Sequence, residues 1–400
     1  MGEPKLRFKA DDGSDFPDWD EMTLGDVGSV AMCKRVFKEQ TFEVGDVPFF
    51  KIGTFGGAPD AYISQSLFDE LKSKYAYPKV GTILLSASGT IGRQVEYKGE
   101  DAYYQDSNIV WLEHDDTVFD SYLKQFYSVV KWQGLEGSTI KRLYNKTILD
   151  TPFYRPSLPE QRKIADFLSA VDAVIAAQEA EVDAWEQRKK GMMQKLFSQE
   201  VRFKADDGSD FPDWEEKVTE QLCLRMIGGG TPSTDDPSNY DGETSWISSS
   251  DLDENDIYTI RRTRFITDEA ISNSATKRVK ANSIVVVLRV GVGKVAISRC
   301  ETCTSQDFIS LEDVQGDICF IAYMLSEAMR REALQTQGTS IKGVTSKRFR
   351  SLVHMMPASI DEQRKIADCL ASMDEVIQKS KGELAKWQEL KKGLLQQMFV

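Results

Sequence analysis

At 400 residues, with 41% hydrophobic and 28% charged side chains, the chain is longer than one core usually supports and has an ordinary soluble composition, excluding disordered, collagen-like and membrane-embedded classes. No apolar run approaches the length of a membrane span, MGEPKLRFKADDGSDF has no signal-like core, and six scattered cysteines make no disulfide framework, so a reducing, cytoplasmic setting is expected. A net charge of -13 argues against indiscriminate coating of nucleic acid, which depends on neutralising phosphates, but leaves room for a local basic face.

The first segment in chain order, Arg7 to Trp19, reads RFKADDGSDFPDW and returns unchanged at Arg202 to Trp214. Internal identity of that length is a duplication. Next comes a β-rich run broken by glycine, GTILLSASGTIGRQVEY from Gly81 to Tyr97, which predicts strand-turn-strand, followed by helix-period apolar residues from Tyr122 to Gln133. From Glu160, EQRKIADFL opens a long helix reaching Phe197, with Pro159 in its first turn. Leu168, Ile175, Val182, Lys189 and Leu196 take heptad position a, and Ile164, Val171, Gln178, Trp185 and Met192 take d. At 1.5 Å per residue, Glu160 to Phe197 makes a rod of about 57 Å.

The second copy repeats this order. Ala281 to Ile297, ANSIVVVLRVGVGKVAI, is again strand-turn-strand, and Ile318 to Gln335 is helix-periodic. EQRKIADCL from Glu362 opens a second helix with Leu370, Ile377, Leu384, Lys391 and Met398 at a, and Ile366, Met373, Ser380, Trp387 and Leu394 at d. Here Ile360 replaces the proline, so Ser359 or Asp361 must supply the cap. Polar rungs fall at matching places, Gln178 with Ser380 and Lys189 with Lys391, and read as register marks. Between the constant blocks only a frame survives: Thr82-Ile-Leu-Leu with Ser283-Ile-Val-Val, Gly92 with Gly293, Gln105-Asp106 with Gln306-Asp307, and Gly137-Ser-Thr-Ile-Lys with Gly338-Thr-Ser-Ile-Lys.

The partition is a head over 1–157 (with acidic segment 7–19), a helix over 158–199, a second head over 200–358 (with 202–214) and a second helix over 359–400. The fold class is α+β: two mixed α/β heads separated by two long helices that pair as an antiparallel coiled coil with internal pseudo-twofold symmetry. Two divergent heads at a fixed spacing suit the reading of a split DNA target, because base contacts specify while phosphate contacts position.

Catalytic and metal motifs fail. Asp150-Thr151-Pro152-Phe153 lacks the first proline of the amino-methyltransferase loop, and Phe55-Gly56-Gly57 is a poor cofactor glycine motif. Gly293-Lys294 has Leu288 and Val295 where a phosphate loop needs glycine and Ser/Thr, so a β-turn is expected. Cys300 and Cys303, with only His114 and His354 elsewhere, offer no four-ligand zinc set. The chain is expected to be non-catalytic.

PSLPEQRKIADFL (Pro156 to Leu168) with the helix after it, its repeat from Ile360, GGGTPSTDDPSNYDGETSWISSSDL (Gly228 to Leu252), and FFKIGTFGG (Phe49 to Gly57) followed by GTILLSASGTIG together resemble the specificity (S) subunit of type I restriction-modification systems. The resemblance covers essentially the whole chain. It implies two target recognition domains, each reading one half of an asymmetric bipartite site in double-stranded DNA, and spacer helices that dock two modification (methyltransferase) subunits. The partners would carry the S-adenosylmethionine, none being bound by this chain, and restriction/translocase subunits would join them. Ile360 and the acidic repeat depart from the family pattern, the latter leaving a partner-docking role open. The alternative is a coiled-coil adaptor that does not bind DNA.

DNA contacts are expected in the glycine-rich segments and the Gly-Ser/Thr-Ile-Lys loops: Lys51, Thr54, Ser88, Thr90, Arg93, Lys141 and Arg142 in the first head, and Ser249, Ser250, Arg289, Lys294, Thr339 and Lys342 in the second. Basic clusters at Arg261, Arg262 and Arg264, at Lys277, Arg278 and Lys280, and at Lys347, Arg348 and Arg350 are candidates for holding a backbone.

Overall fold

The glycine-broken runs fold as hairpins in both heads of the computed structural model, which describes residues 4–132, 142–336 and 343–399. In the first head Ile83–Ser86 and Gln94–Glu96 belong to an antiparallel sheet ordered Gly28–Ala31, Ile109–His114, Ile83–Ser86, Gln94–Glu96. The second head repeats that order with Cys223–Gly228, Phe308–Val314, Ser283–Val287 and Val295–Ser298. Ser283–Val287 is buried at every position because both faces of its sheet are covered. Ile284 and Val286 face a cluster with Phe320 and Leu325 of the helix Ile318–Thr336. Val285 and Val287 face Ile247 and Leu252 on the other side.

A second, smaller sheet supplies that other side. In the first head Val47–Phe50 pairs antiparallel with Tyr62–Ile63 and parallel with Tyr103–Tyr104. In the second, Thr244–Ile247 pairs antiparallel with Phe265–Ile266 and parallel with Thr302–Thr304, and Arg278–Val279 adds a further edge. One departure from expectation concerns the helix predicted over Tyr122 to Gln133, which runs only over Asp120–Tyr127. Trp132 turns back onto Gly92 instead, so close that a Cβ there would stand 2.7 Å from the indole nitrogen; Gln133 lies outside the described residues.

The long helices span Leu158–Phe197 and Ile360–Met398. Ser359 supplies the cap that the missing proline left open, its Oγ accepting the Asp361 amide at 3.3 Å and its carbonyl the Gln363 amide at 3.2 Å. Contacts divide the chain into two compact units, Met1–Glu179 with Glu383–Val400, and Ala180–Gly382. Each unit therefore joins a head to the leading part of the helix that follows it and the trailing part of the other. In the first, Ile164, Leu168, Leu395 and Met398 enter the core of the head with Tyr122 and Phe153. In the second, Leu196, Ile366 and Leu370 do the same with Trp214 and Phe320.

Polar rungs fix how the helices pair inside each unit. Lys189 reaches Asp374 at 2.5 Å, and Glu186 pairs with Lys381 at 2.7 Å. Lys391 reaches Asp172 at 2.5 Å, and Gln388 donates to Glu179 at 3.4 Å. Numbers rise on one helix as they fall on the other, so both pairings are antiparallel. Each head also engages the rung carboxylate. Tyr323 donates to Asp374 at 2.6 Å, and Gln125 to Asp172 at 3.2 Å.

The acidic repeat has work within its own unit. Arg7 grips both carboxylate oxygens of fully buried Glu160 at 3.0 and 2.9 Å, the Trp19 indole donates to the same group at 3.0 Å, and Lys163 donates to the Lys9 carbonyl at 2.8 Å while pairing with Asp11. In the second copy Arg202 and Trp214 hold Glu362 at 2.9 to 3.1 Å, and Lys365 holds the Lys204 carbonyl and Asp206. Gln161 completes the fastening by donating to the carbonyls of Thr117 and Pro156, as Gln363 does to Pro357. The segment straps each head to the EQRK turn of its helix, which accounts for the two blocks being duplicated together.

Candidate nucleic-acid interface

Three loops converge at one end of each head: the strand-end loop (51–55 and 248–252), the glycine hairpin (87–93 and 288–294) and the Gln-Asp loop (105–108 and 305–307). Left-handed backbone at Gly89 and Gly92, and at Gly291 and Gly293, turns the hairpins tightly; the second turn ends at Gly293, and the Lys294 carbonyl accepts from the Val287 amide at 3.0 Å on the returning arm. Arriving chain joins the hairpin equivalently in both heads, Leu143 donating to the Ala87 carbonyl at 2.8 Å and Val344 to the Leu288 carbonyl at 2.7 Å. Lys141, Thr339 and Lys342 lie outside the described residues, on the chain leading into these points.

In the first head Thr54 closes the strand-end turn, its hydroxyl 3.2 Å from the Lys51 amide, and the Lys51 ammonium pairs with Asp60 at 2.8 Å. The Ile52 amide donates to Gln105 Oε1 at 3.0 Å, tying this loop to the Gln-Asp loop. Ser88 donates to Asn108 at 2.9 Å and forms a β-bridge with Arg142, whose guanidinium donates to the Ser107 carbonyl at 2.8 Å. Arg93 donates to the Phe55 carbonyl at 2.9 Å and lies 3.5 Å from the Thr90 hydroxyl. All six described candidates of this head thus fall within the converging loops and the chain that joins them.

The second head brings Ser249, Ser250, Arg289 and Lys294 together in the same place. Lys294 donates to the carbonyls of Ser249 and Leu252 at 2.9 and 2.8 Å. Arg289 is exposed, donates to the Gln306 carbonyl and pairs with Asp307 at 3.4 Å. The Ser250 hydroxyl lies 2.9 Å from that of Ser248.

The basic clusters prove to be largely matched by carboxylates of the same head. Arg261 pairs with Asp253 and donates to the Ser250 carbonyl, while Arg264 pairs with Asp251 and stacks 4.7 Å over Trp246. Arg278 pairs with Asp268 and Glu301, Lys280 with Asp313, Arg348 with Glu332 and Arg350 with Glu220. Sequence reasoning missed Trp132, Gln105, Gln306 and Arg264 as loop supports. The repeated Gln-Asp pair was the available signal for two of them.

The near-miss methyltransferase motif is structural: Pro152–Arg155 is a strand paired with Asp20–Thr23, and Phe153 is fully buried. Cys303 is buried in the strand Thr302–Thr304, where burial pushes its thiol up to about 11. Among the described residues there is no group of three metal-binding side chains and no helix long and apolar enough to cross a membrane.

Residues 17–184 and 212–386 match the family model of the type I restriction modification DNA specificity domain. The chain belongs to that family and carries its domain twice. The putative type I restriction enzyme specificity subunit S.HindORF215P of Haemophilus influenzae is 55% identical over 152 residues, which are 38% of this chain and 40% of that protein. The putative type I restriction enzyme MjaX specificity subunit of Methanocaldococcus jannaschii is 24% identical over 416 aligned positions, covering 97% of this chain and 94% of its own. The solved S subunit from M. genitalium shares the fold over 100% of this chain and 99% of its own, with a TM-score of 0.59 at 16% identity. A chain from a study of assembly and conformational transition of the type I R-M system aligns over 96% of this chain and 98% of its own, with a TM-score of 0.54 at 14% identity.

Proposed function

We propose that each head reads one half of an asymmetric bipartite sequence in double-stranded DNA, through its converging loops. The observation that carries this is the construction of one loop arrangement twice with different side chains: Lys51, Thr54, Ser88, Thr90, Arg93 and Arg142 in one head, and Ser249, Ser250 and Arg289 in the other. Arginine offers paired donors to guanine, serine and threonine suit either base edge, and lysine holds phosphate. The chain itself is non-catalytic and binds no cofactor. Its long helices dock two methyltransferase subunits that hold S-adenosylmethionine, to which restriction/translocase subunits attach, and the DNA substrate puts this work in the cytoplasm.

Footprinting of the chain assembled with its methyltransferase is expected to give two separated clusters of protected base pairs. Arg289→Ala is expected to weaken the cluster read by the second head and leave the other. Absence of protection would instead make the chain a coiled-coil adaptor, and an unchanged footprint in both Arg93→Ala and Arg289→Ala would overturn the loop assignment.

A further inference from the structure

Lys294 stands where a DNA-contacting cation is expected, yet its ammonium is directed inward. It is half-buried and donates to two backbone carbonyls, Ser249 at 2.9 Å and Leu252 at 2.8 Å, on a loop 42 to 45 residues away in sequence. Two bonds to one short turn set its position more narrowly than one would. Two further cations brace the same turn: Arg261 donates to the Ser250 carbonyl at 2.7 Å and Arg264 to the Ser248 hydroxyl at 2.6 Å. Cations thus hold the carbonyls of 249, 250 and 252, with Ser249 half-buried and Ser250 exposed.

The first head repeats the tie with another residue. Arg93 matches Lys294 at the end of the hairpin, and its guanidinium donates to the Phe55 carbonyl at 2.9 Å, as Lys294 does to Leu252. The heads share almost no sequence here, so recurrence of a hairpin cation bonded to a strand-end carbonyl belongs to how the loops are set.

We infer that Lys294 is a positioning residue for DNA reading: it fixes the 248–252 loop against the glycine hairpin, shaping the surface presented to the bases without contacting a phosphate. This rests on the DNA-reading role proposed above. A cation on a phosphate and a cation on carbonyls differ in a measurable way, because each neutralised phosphate contributes about 0.9 to the slope of log affinity against log salt.

The experiment uses the full-length chain assembled with its methyltransferase subunits and a duplex carrying the motif obtained from methylated-base sequencing. Affinity is measured across a salt series for the wild type, Lys294→Met, Lys294→Arg and Arg289→Ala. Lys294→Met is expected to bind about tenfold more weakly, the size of a misread position, to lose discrimination only in the half-site of the second head, and to keep the wild-type slope. Lys294→Arg, which can still donate to both carbonyls, is expected to recover discrimination. A wild-type urea midpoint in Lys294→Met, together with the recovery by Lys294→Arg, shows that the second head is folded in the variant. A slope lower by about one with discrimination intact would make Lys294 a phosphate contact, and unchanged affinity and discrimination would remove it from the interface; either result overturns the inference. A wild type that protects no bipartite motif would contradict the DNA-reading role itself, separately from the part given to Lys294.

Discussion

His354 lies on the strand Val353–Pro357 with its Nε2 2.7 Å from the Thr219 hydroxyl, and burial pulls its pKa down from 6.5 to about 4. Between those values the unfolded imidazole binds a proton that the folded one refuses, so the unfolded state gains stability as pH falls. The contribution is full above pH 6.5 and is lost as pH drops towards about 4. Urea midpoints measured across this window are expected to fall with pH in the wild type and to fall less steeply in His354→Gln; equal slopes would refute the assignment. Single residues were the least legible scale in the sequence. Lys294 advertises a charge, and nothing local reveals that its partners are carbonyls of a distant loop. Arg261, Arg264, Arg278 and Arg348 likewise look like a basic surface until pairing brings Asp253, Asp251, Glu301 and Glu332 beside them.

At the scale of elements, the long helices were the most legible, because a seven-residue pattern acts within one continuous segment. Leu168, Val171, Val182, Leu370 and Ile377 are buried where the heptad places them. The polar rung was visible as lysine, while its partner was not, although Asp172 and Asp374 occupy matching places in the repeat. The two rungs differ in burial: the Lys189 and Asp374 side chains are 5% and 11% exposed, against 20% and 32% for Lys391 and Asp172. Removing one member of a buried pair strands a charge, so Asp374→Asn is expected to cost about 3 to 5 kcal/mol. Asp172→Asn, being better solvated, is expected to cost about 1 kcal/mol. Replacing both Lys189 by Met and Asp374 by Leu should recover most of the larger loss in urea denaturation. Equal costs for the two single substitutions would show that burial is not what distinguishes the rungs. The heads were legible only as hairpins. Their sheets close through pairings such as Gly28–Ala31 with Ile109–His114, which no local pattern announces.

At the scale of the whole molecule, the duplication separates what is held constant from what varies. The strap Arg7 to Trp19 and its copy bind the EQRK turns by the same contacts, and the seam lysines meet equivalent aspartates, Lys189 with Asp374 and Lys391 with Asp172. The sheets keep one strand order while their side chains diverge. The acidic repeat is conspicuous in the sequence for its charge, yet Arg7 and Trp19 on buried Glu160 do most of its structural work, with Asp11 pairing Lys163 beside them. Divergence runs through both heads outside a sparse frame that includes Gly92 with Gly293 and Gln105-Asp106 with Gln306-Asp307, which is the pattern the proposed reading of two different half-sites requires. Sequencing of methylated bases in cells expressing this chain with its methyltransferase tests that account most directly. One asymmetric motif made of two specified parts around an unspecified gap is the predicted result, and a continuous or palindromic motif would contradict it.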